Sequence, residues 1–261
     1  MMRIDILTIF PEMFPGVLGA SMLKRAQESG RVRIAVHDLR DYSHDKHRKV
    51  DDRPYGGGPG MIMRIEPICE AVEVLKRGCA AHRRCQTILM SPQGQPWSST
   101  LAQELAGVEH AILICGHYEG VDERVKALVD RIVSIGDYVL TGGELPAMVL
   151  IDCVARFLPG VLGHAQATEE ESFTAGWLEY PQYTRPPVFR GLAVPDVLLS
   201  GDHERIARWR QDQAMANTLA NRPDLMQDAR GSPAPARRVG PGRLEARRNG
   251  CSEPRAPSPE P

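Results

Sequence analysis

Three stretches of this 261-residue chain set glycine beside polar and aromatic side chains directly after an apolar run. They are SPQGQPWS (91–98), CGHYEGVDER (115–124) and IGDYVLTGGELP (135–146). Glycine lets backbone approach a ligand with no Cβ in the way. Positive charges are few in these loops, so a polyphosphate is a poor fit. Backbone amides with Tyr118, Glu119, Asp137 and Tyr138 suit a neutral or cationic ligand that carries an aromatic base. The usual nucleotide fingerprints are missing. No GxGxxG follows the first apolar run, and Gly56-Gly57-Gly58-Pro59-Gly60 lacks the lysine of a phosphate loop. Each loop alone reads as an ordinary strand-to-helix turn; three in succession point to a pocket.

A fourth stretch, HDKHRKVDDRPYGGGPGM (44–61), gathers Lys46, Arg48, Lys49 and Arg53 ahead of Tyr55 and a glycine run. Basic side chains, an aromatic ring and pliable backbone can hold phosphates and a base. Asp45, Asp51 and Asp52 offset much of that charge, so a solvated mixed-charge loop is the competing reading.

Positioning these loops requires strands and helices in alternation, and the sequence supplies them. Strands are expected at 3–10, 31–39, 86–91, 110–116 and 131–136. Helical patterns cover 11–28, 65–77, Ser98 or Ser99 to about Ala106, 121–129 and 144–158, with Pro146 in a first turn where proline is tolerated. Alternation of this kind predicts an α/β fold around a parallel sheet, and ligands of such sheets sit beyond the carboxyl ends of the strands. A polar linker (163–176) leads to a second part too small for another sheet, expected as a compact helical domain. From about residue 230 seven prolines and four glycines predict a disordered tail.

Net charge is −1, so any nucleic-acid contact must come from local patches. No run reaches the roughly 18–20 apolar residues of a membrane span. The N-terminal MMRIDILTIFPEMF lacks a signal-peptide pattern, and the expected location is the cytoplasm. Cys79, His82 and Cys85 could be drawn as metal ligands, but three without a second cluster do not support a metal site.

The segments YSHDKHRKVDDRPYGGGPGMIM, SPQGQPW, ICGHYEGVDERV, SIGDYVLTGGELPAMVLIDCVARFLPGVLG, ESF, YTRPPVF and VLLSGDHERIARWR occur here in order. They closely resemble the bacterial tRNA (guanine-N(1)-)-methyltransferases of the knotted SPOUT superfamily, over about residues 1–228. The resemblance implies S-adenosyl-L-methionine as methyl donor and ring nitrogen 1 of the guanosine 3′ of the anticodon (position 37) as acceptor. It implies a C-terminal trefoil knot within a cofactor-binding domain over 1–162, a linker over 163–176, and a helical tRNA-binding domain over 177–229, followed by the tail at 230–261. Gly116, Ile135, Gly136, Asp137, Tyr138, Val139 and Leu140 would line the cofactor site and Tyr118, Glu119 and Gly120 flank it. Gly142 and Gly143 would let backbone pass close to the adenosine, and Pro146 would close that loop.

The resemblance also assigns the chemistry. Guanine nitrogen 1 holds a proton and is a poor nucleophile until a base removes it, while the 6-oxo group gains charge. The arginine for that oxygen is Arg156. The aspartate usual before Ser-Phe aligns with Glu171, a departure that keeps the carboxylate and adds a methylene; Glu169 and Glu170 are fallbacks. Glu171 also fits a capping box with Thr168, and Arg156 fits a helix-end cation. His117 stands where many relatives have arginine. Lys46, Arg48, Lys49, Arg53 and Tyr55, with Arg205, Arg208 and Arg210, are the expected tRNA contacts. The family is homodimeric, with the base-bearing linker contributed by the other subunit. Some members need magnesium, for which no ligand cluster stands out. A non-catalytic tRNA-binding relative is the alternative, and a nicotinamide-dependent oxidoreductase is disfavoured by the missing glycine fingerprint.

Overall fold

The computed structural model describes residues 1–77, 84–163, 168 and 171–228. The chain opens with β1 (Met2–Thr8), then the short α1 (Pro15–Leu18) and α2 (Ser21–Glu28), β2 (Val32–Asp38), and a two-residue hairpin of β3 (Asp51–Asp52) and β4 (Ile62–Met63). Next come α3 (Ile65–Arg77), β5 (Cys85–Pro96), α4 (Ser99–Ala106), β6 (His110–Cys115), β7 (Arg131–Ser134) and α5 (Glu144–Phe157). The last elements are β8 (Val188–Phe189), β9 (Leu192–Ala193), α6 (Asp196–Leu199), α7 (His203–Asn221) and α8 (Pro223–Asp228).

The five long strands form one sheet in the order β2-β1-β6-β5-β7, parallel at every junction. Both faces are covered, as a parallel sheet requires. One face carries Ile4, Ile6, Ile88 and Leu113 against Leu150, Ile151 and Val154 of α5, with Leu23 and Leu105. The other carries Leu7, Leu89, Ile112 and Ile114 against Ile68, Ala71, Val72 and Leu75 of α3. All six residues of β6 are buried, which is why its sequence is apolar from Ala111 to Cys115.

The expected elements differ from the observed ones in four places. The helical stretch over 11–28 is broken into a 3-10 turn, α1 and α2, since α1 ends at Gly19. The segment expected as a helix over 121–129 is a 3-10 turn, Glu123–Leu128, opened by the Asp122 side chain. Strand β5 runs on past Met90: Met90 and Gln95 both face Val133, so residues 91–94 bulge out of the ladder. The second part is not purely helical. β8 and β9 pair antiparallel across Arg190-Gly191, both at positive φ, the geometry of a tight hairpin turn.

No helix among the described residues is long and apolar enough to cross a membrane. Cys79, His82, Glu169, Glu170 and the tail beyond Asp228 lie outside the described residues.

Candidate functional site

The three glycine loops leave the carboxyl ends of three adjacent strands, β6, β5 and β7. They surround a cavity of about 210 Å³. Gly116, Tyr118, Glu119, Gly120, Ile135, Gly136, Tyr138, Val139, Leu140, Gly142, Gly143 and Pro146 all line it. Asp137 is exposed and stands outside the wall. Sequence reasoning missed Leu89, Glu123 and Lys126, which also line the cavity. Leu89 looked like plain strand core. Lys126 and Glu123 sat in an apparent helix, and only the 3-10 turn brings them to the rim. There Lys126 Nζ is held by Glu123 Oε1 at 2.6 Å and by Gln93 Oε1 at 2.8 Å.

Tight crossings fix the loops to one another. The Gly143 N–H donates to the Gly116 carbonyl at 2.7 Å, and His117 and Gly142 form an antiparallel bridge. A Cβ on Gly143 would lie 2.8 Å from Cys115 Cα, and one on Gly142 would overlap the Glu144 carboxylate and the His117 ring. The room these glycines leave is therefore used first by the protein itself. The middle loop is also stitched to β4: Met63 N–H donates to the Gly120 carbonyl and Glu119 N–H to the Met61 carbonyl, at 2.9 and 3.0 Å. This brings the end of the 44–61 stretch to the cavity, where a Cβ on Gly60 would lie 2.8 Å from the Glu119 carboxyl carbon.

Beneath the cavity floor sits a buried carboxylate. Glu144 is 1% exposed. It accepts a hydrogen bond from Thr8 Oγ1 at 2.8 Å, and its other oxygen lies 3.6 Å from His117 Nδ1. That ring nitrogen is buried and makes no hydrogen bond. The His117 ring packs edge-on against Phe10 and Tyr118, at centroid separations of 4.7 and 5.2 Å. Burial, with Glu144 adding to it, pushes the Cys115 thiol well above its ordinary range, so this cysteine is an apolar spacer. Tyr118 is held at φ +60°, a sparsely populated conformation for a bulky residue that surrounding structure must enforce.

Arg156 and Glu171 meet in one ion pair, their side chains 41% and 31% exposed. Residues 171–177 form bends and turns, so the capping box with Thr168 has no helix to serve. The segment is anchored elsewhere: Phe173 N–H donates to the Trp177 carbonyl at 2.7 Å, and Leu178 N–H to Thr218 Oγ1 on α7 at 2.9 Å. Neither Arg156 nor Glu171 lines the cavity. Arg156 is ten residues beyond Pro146 on the same helix, about 15 Å along its axis.

In the 44–61 stretch Lys46, Lys49, Arg53 and Tyr55 are exposed, while Arg48 pairs with Asp41. Arg205, Arg208 and Arg210 are exposed on α7.

A family model described as tRNA (Guanine-1)-methyltransferase TrmD matches residues 2–228. The tRNA (guanine-N(1)-)-methyltransferase of Moorella thermoacetica is 62% identical over 226 residues, 86% of this chain and 90% of that protein. Those of Dictyoglomus turgidum and Halalkalibacterium halodurans are 57% and 56% identical over 227 residues, 87% of this chain and 91% and 92% of theirs. Because the match begins at the first residue of β1, ends at the last of α8 and holds at more than half identity, this chain belongs to the tRNA (guanine-1)-methyltransferase family.

Proposed function

We propose that the protein methylates ring nitrogen 1 of the guanosine 3′ of the anticodon (position 37) in tRNA, with S-adenosyl-L-methionine held in the cavity between the three loops. The observation that carries this is the convergence of those loops, in a family member, on one cavity at the carboxyl ends of β6, β5 and β7. The wall fits the cofactor. Tyr118, Tyr138, Ile135 and Leu140 offer faces for an adenine ring, and the Gly116, Gly142 and Gly143 backbone forms part of the wall. Glu119 and Glu123 favour a cation, and Lys126 is already engaged. When bound, the cofactor supplies an electrophilic methyl group on its sulfonium. The reciprocal crossings at Gly116/Gly143 and His117/Gly142 support reading these loops as a trefoil knot.

The chain's own residues supply the proton chemistry. Glu171 accepts the proton of guanine nitrogen 1, and Arg156 donates to the 6-oxo oxygen as it gains charge. Both are partly exposed and already oriented by one another. The distance along α5 keeps this pair away from its own cavity, which supports a homodimer with sites shared between subunits. Leu145 and Val149, 50% and 48% exposed, form an apolar patch suited to a partner, on the stripe of that helix that continues to Asp152 and Arg156. Lys46, Arg48, Lys49, Arg53 and Tyr55, in the stretch whose far end meets the cavity loops, and Arg205 and Arg208 on α7, would contact the tRNA. On this reading 1–162 is the cofactor domain, 163–176 the linker and 177–229 the tRNA-binding domain. Among the described residues no three His, Cys, Asp or Glu side chains converge to ligate magnesium.

Transfer of labelled methyl to unmodified tRNA, followed by nuclease mapping, tests the reading. The expected product is 1-methylguanosine at position 37. No incorporation by the folded, cofactor-binding protein would favour the non-catalytic alternative.

A further inference from the structure

The segment Tyr180–Pro187 crosses α6 and the first half of α7, and between them lies a second cavity of about 500 Å³. It shares no lining residue with the first cavity, and neither Arg156 nor Glu171 lines it. Its floor is apolar, with Val194, Leu198, Leu199 and Ile206. Tyr180 and Tyr183 stand in its wall, and the charged side chains lining it among the described residues are Arg185 and Arg210. Both tyrosine rings already have a neighbour. The Arg210 guanidinium sits over the Tyr180 ring at 4.7 Å, and Tyr183 lies 6.4 Å from Trp209. Just outside, Arg190 covers the exposed Phe189 ring at 5.2 Å.

We propose that this cavity seats one unpaired nucleotide of the tRNA other than the methylated guanosine, with its base against Tyr183 and Tyr180 and its phosphate on Arg185 and Arg210. The proposal rests on the tRNA substrate proposed above and adds a second point of recognition. An apolar floor with aromatic walls takes a planar ring, and arginine beside aromatic faces is the usual company of a base and its phosphate. Cations without a carboxylate in the lining favour an anionic occupant. Tyr183 is 49% exposed, so the rim is open to a ligand that enters from solvent.

The test measures equilibrium binding of unmodified tRNA transcript to the full chain, before any chemistry. Tyr183→Ala is expected to raise Kd for tRNA about tenfold, the scale of one lost base–aromatic stack. The loss should appear in KM for tRNA rather than in kcat. Tyr183→Phe retains the ring and should recover binding; Tyr183→Leu retains apolar volume without a π-face and should not, which separates stacking from folding. Arg210→Gln should reduce the salt slope of binding by about one. Transcripts carrying one abasic nucleotide at a time should reveal a position whose loss costs wild type as much as Tyr183→Ala and costs that variant nothing more. Unchanged Kd in folded Tyr183→Ala and Tyr183→Leu, with tRNA still methylated, would overturn the cavity alone. Failure of wild type to bind tRNA would remove both proposals. Dissociation of a dimer by Tyr183→Ala would reassign the cavity to a second copy of the chain.

Discussion

The two ends of α5 present opposite chemistry. At its start Glu144 is sealed beneath Thr8 and His117, and Pro146 lies in a cavity wall with few free charges. At its end Arg156 and Glu171 form an ion pair that water still reaches. The first end suits holding a molecule by shape and backbone. The second suits moving a proton, because a base that must take one from an incoming ring has to remain accessible. A helix of 14 residues, about 21 Å long, separates them. On the function proposed above, one copy of the chain would carry two half-sites, and two-fold symmetry is the simplest way to join them.

Removal of the base should do the most damage. Glu171→Gln should slow single-turnover methylation by about two to four orders of magnitude, with cofactor and tRNA binding nearly intact. Glu171→Asp should stay within about tenfold of the unaltered protein, since it keeps the carboxylate. A near-normal rate in Glu171→Gln would end the assignment.

Next in size is complementation between the two ends. Leu140→Trp fills the cavity from its rim, and Glu171→Gln disables the pair. Subunits of each kind, inactive alone, should after exchange recover about a quarter of normal activity, from one intact shared site in half the dimers. Gly142 is a poorer place for the blocking side chain, because there it would strike Glu144 and His117. No recovery after verified exchange would mean self-contained sites.

A smaller effect sharpens the cavity end. Glu144→Ala strips the Thr8 hydroxyl of its acceptor and leaves His117 facing a void. The expected loss is about 1–3 kcal/mol of stability, read by denaturant unfolding, together with weaker cofactor binding by calorimetry. Arg156→Ala, at the exposed end, should leave stability within about 1 kcal/mol while lowering the rate.

The last effect is confined to acid pH and comes from a buried carboxylate used differently. Asp5 on β1 is fully buried, yet it is bonded by His110 at 2.6 Å, His37 at 2.7 Å and Arg3 at 2.6 Å. Burial alone would raise its pKa; the bonds from His110, His37 and Arg3 outweigh that and hold it well below the usual carboxylate value. A depressed folded pKa means stability that is present above the unfolded value of 3.8 and lost as pH falls below it. The slope is at most about 1.4 kcal/mol per pH unit. Asp5→Asn should flatten the acid limb of a melting-temperature profile. An unchanged limb would show that other carboxylates set it. Glu144, with one firm hydrogen bond against Asp5's three partners, is the less satisfied of the two, and it is the one beside the cavity.

Much of this was legible in sequence. The apolar runs revealed the strands, because a parallel sheet covered on both faces is built mostly from apolar residues; Asp5 and His110 are exceptions that partner each other. The glycine loops were legible because a close backbone approach excludes other residues. Twelve of the thirteen expected cavity residues line the wall; Asp137 does not, and its side chain type gave no hint of which way the loop would turn it. The break at Gly19, the bulge at 91–94 and the 3-10 turn at 123–128 were not legible. Each depends on what the chain packs against, and local propensity is too weak to decide it.

By itself the sequence determined the alternation of elements, the three loops, the family resemblance and the residue types available for proton chemistry, since all of these are properties of neighbours along the chain. Only tertiary structure decided that Glu144 pairs with Thr8 across 136 residues, that Gly143 rests on Gly116, and that Glu171 meets Arg156 while both stay out of their own cavity. Those contacts are set by strand order and helix length. Strand order depends on which buried faces find one another, and no local pattern in the sequence records that choice.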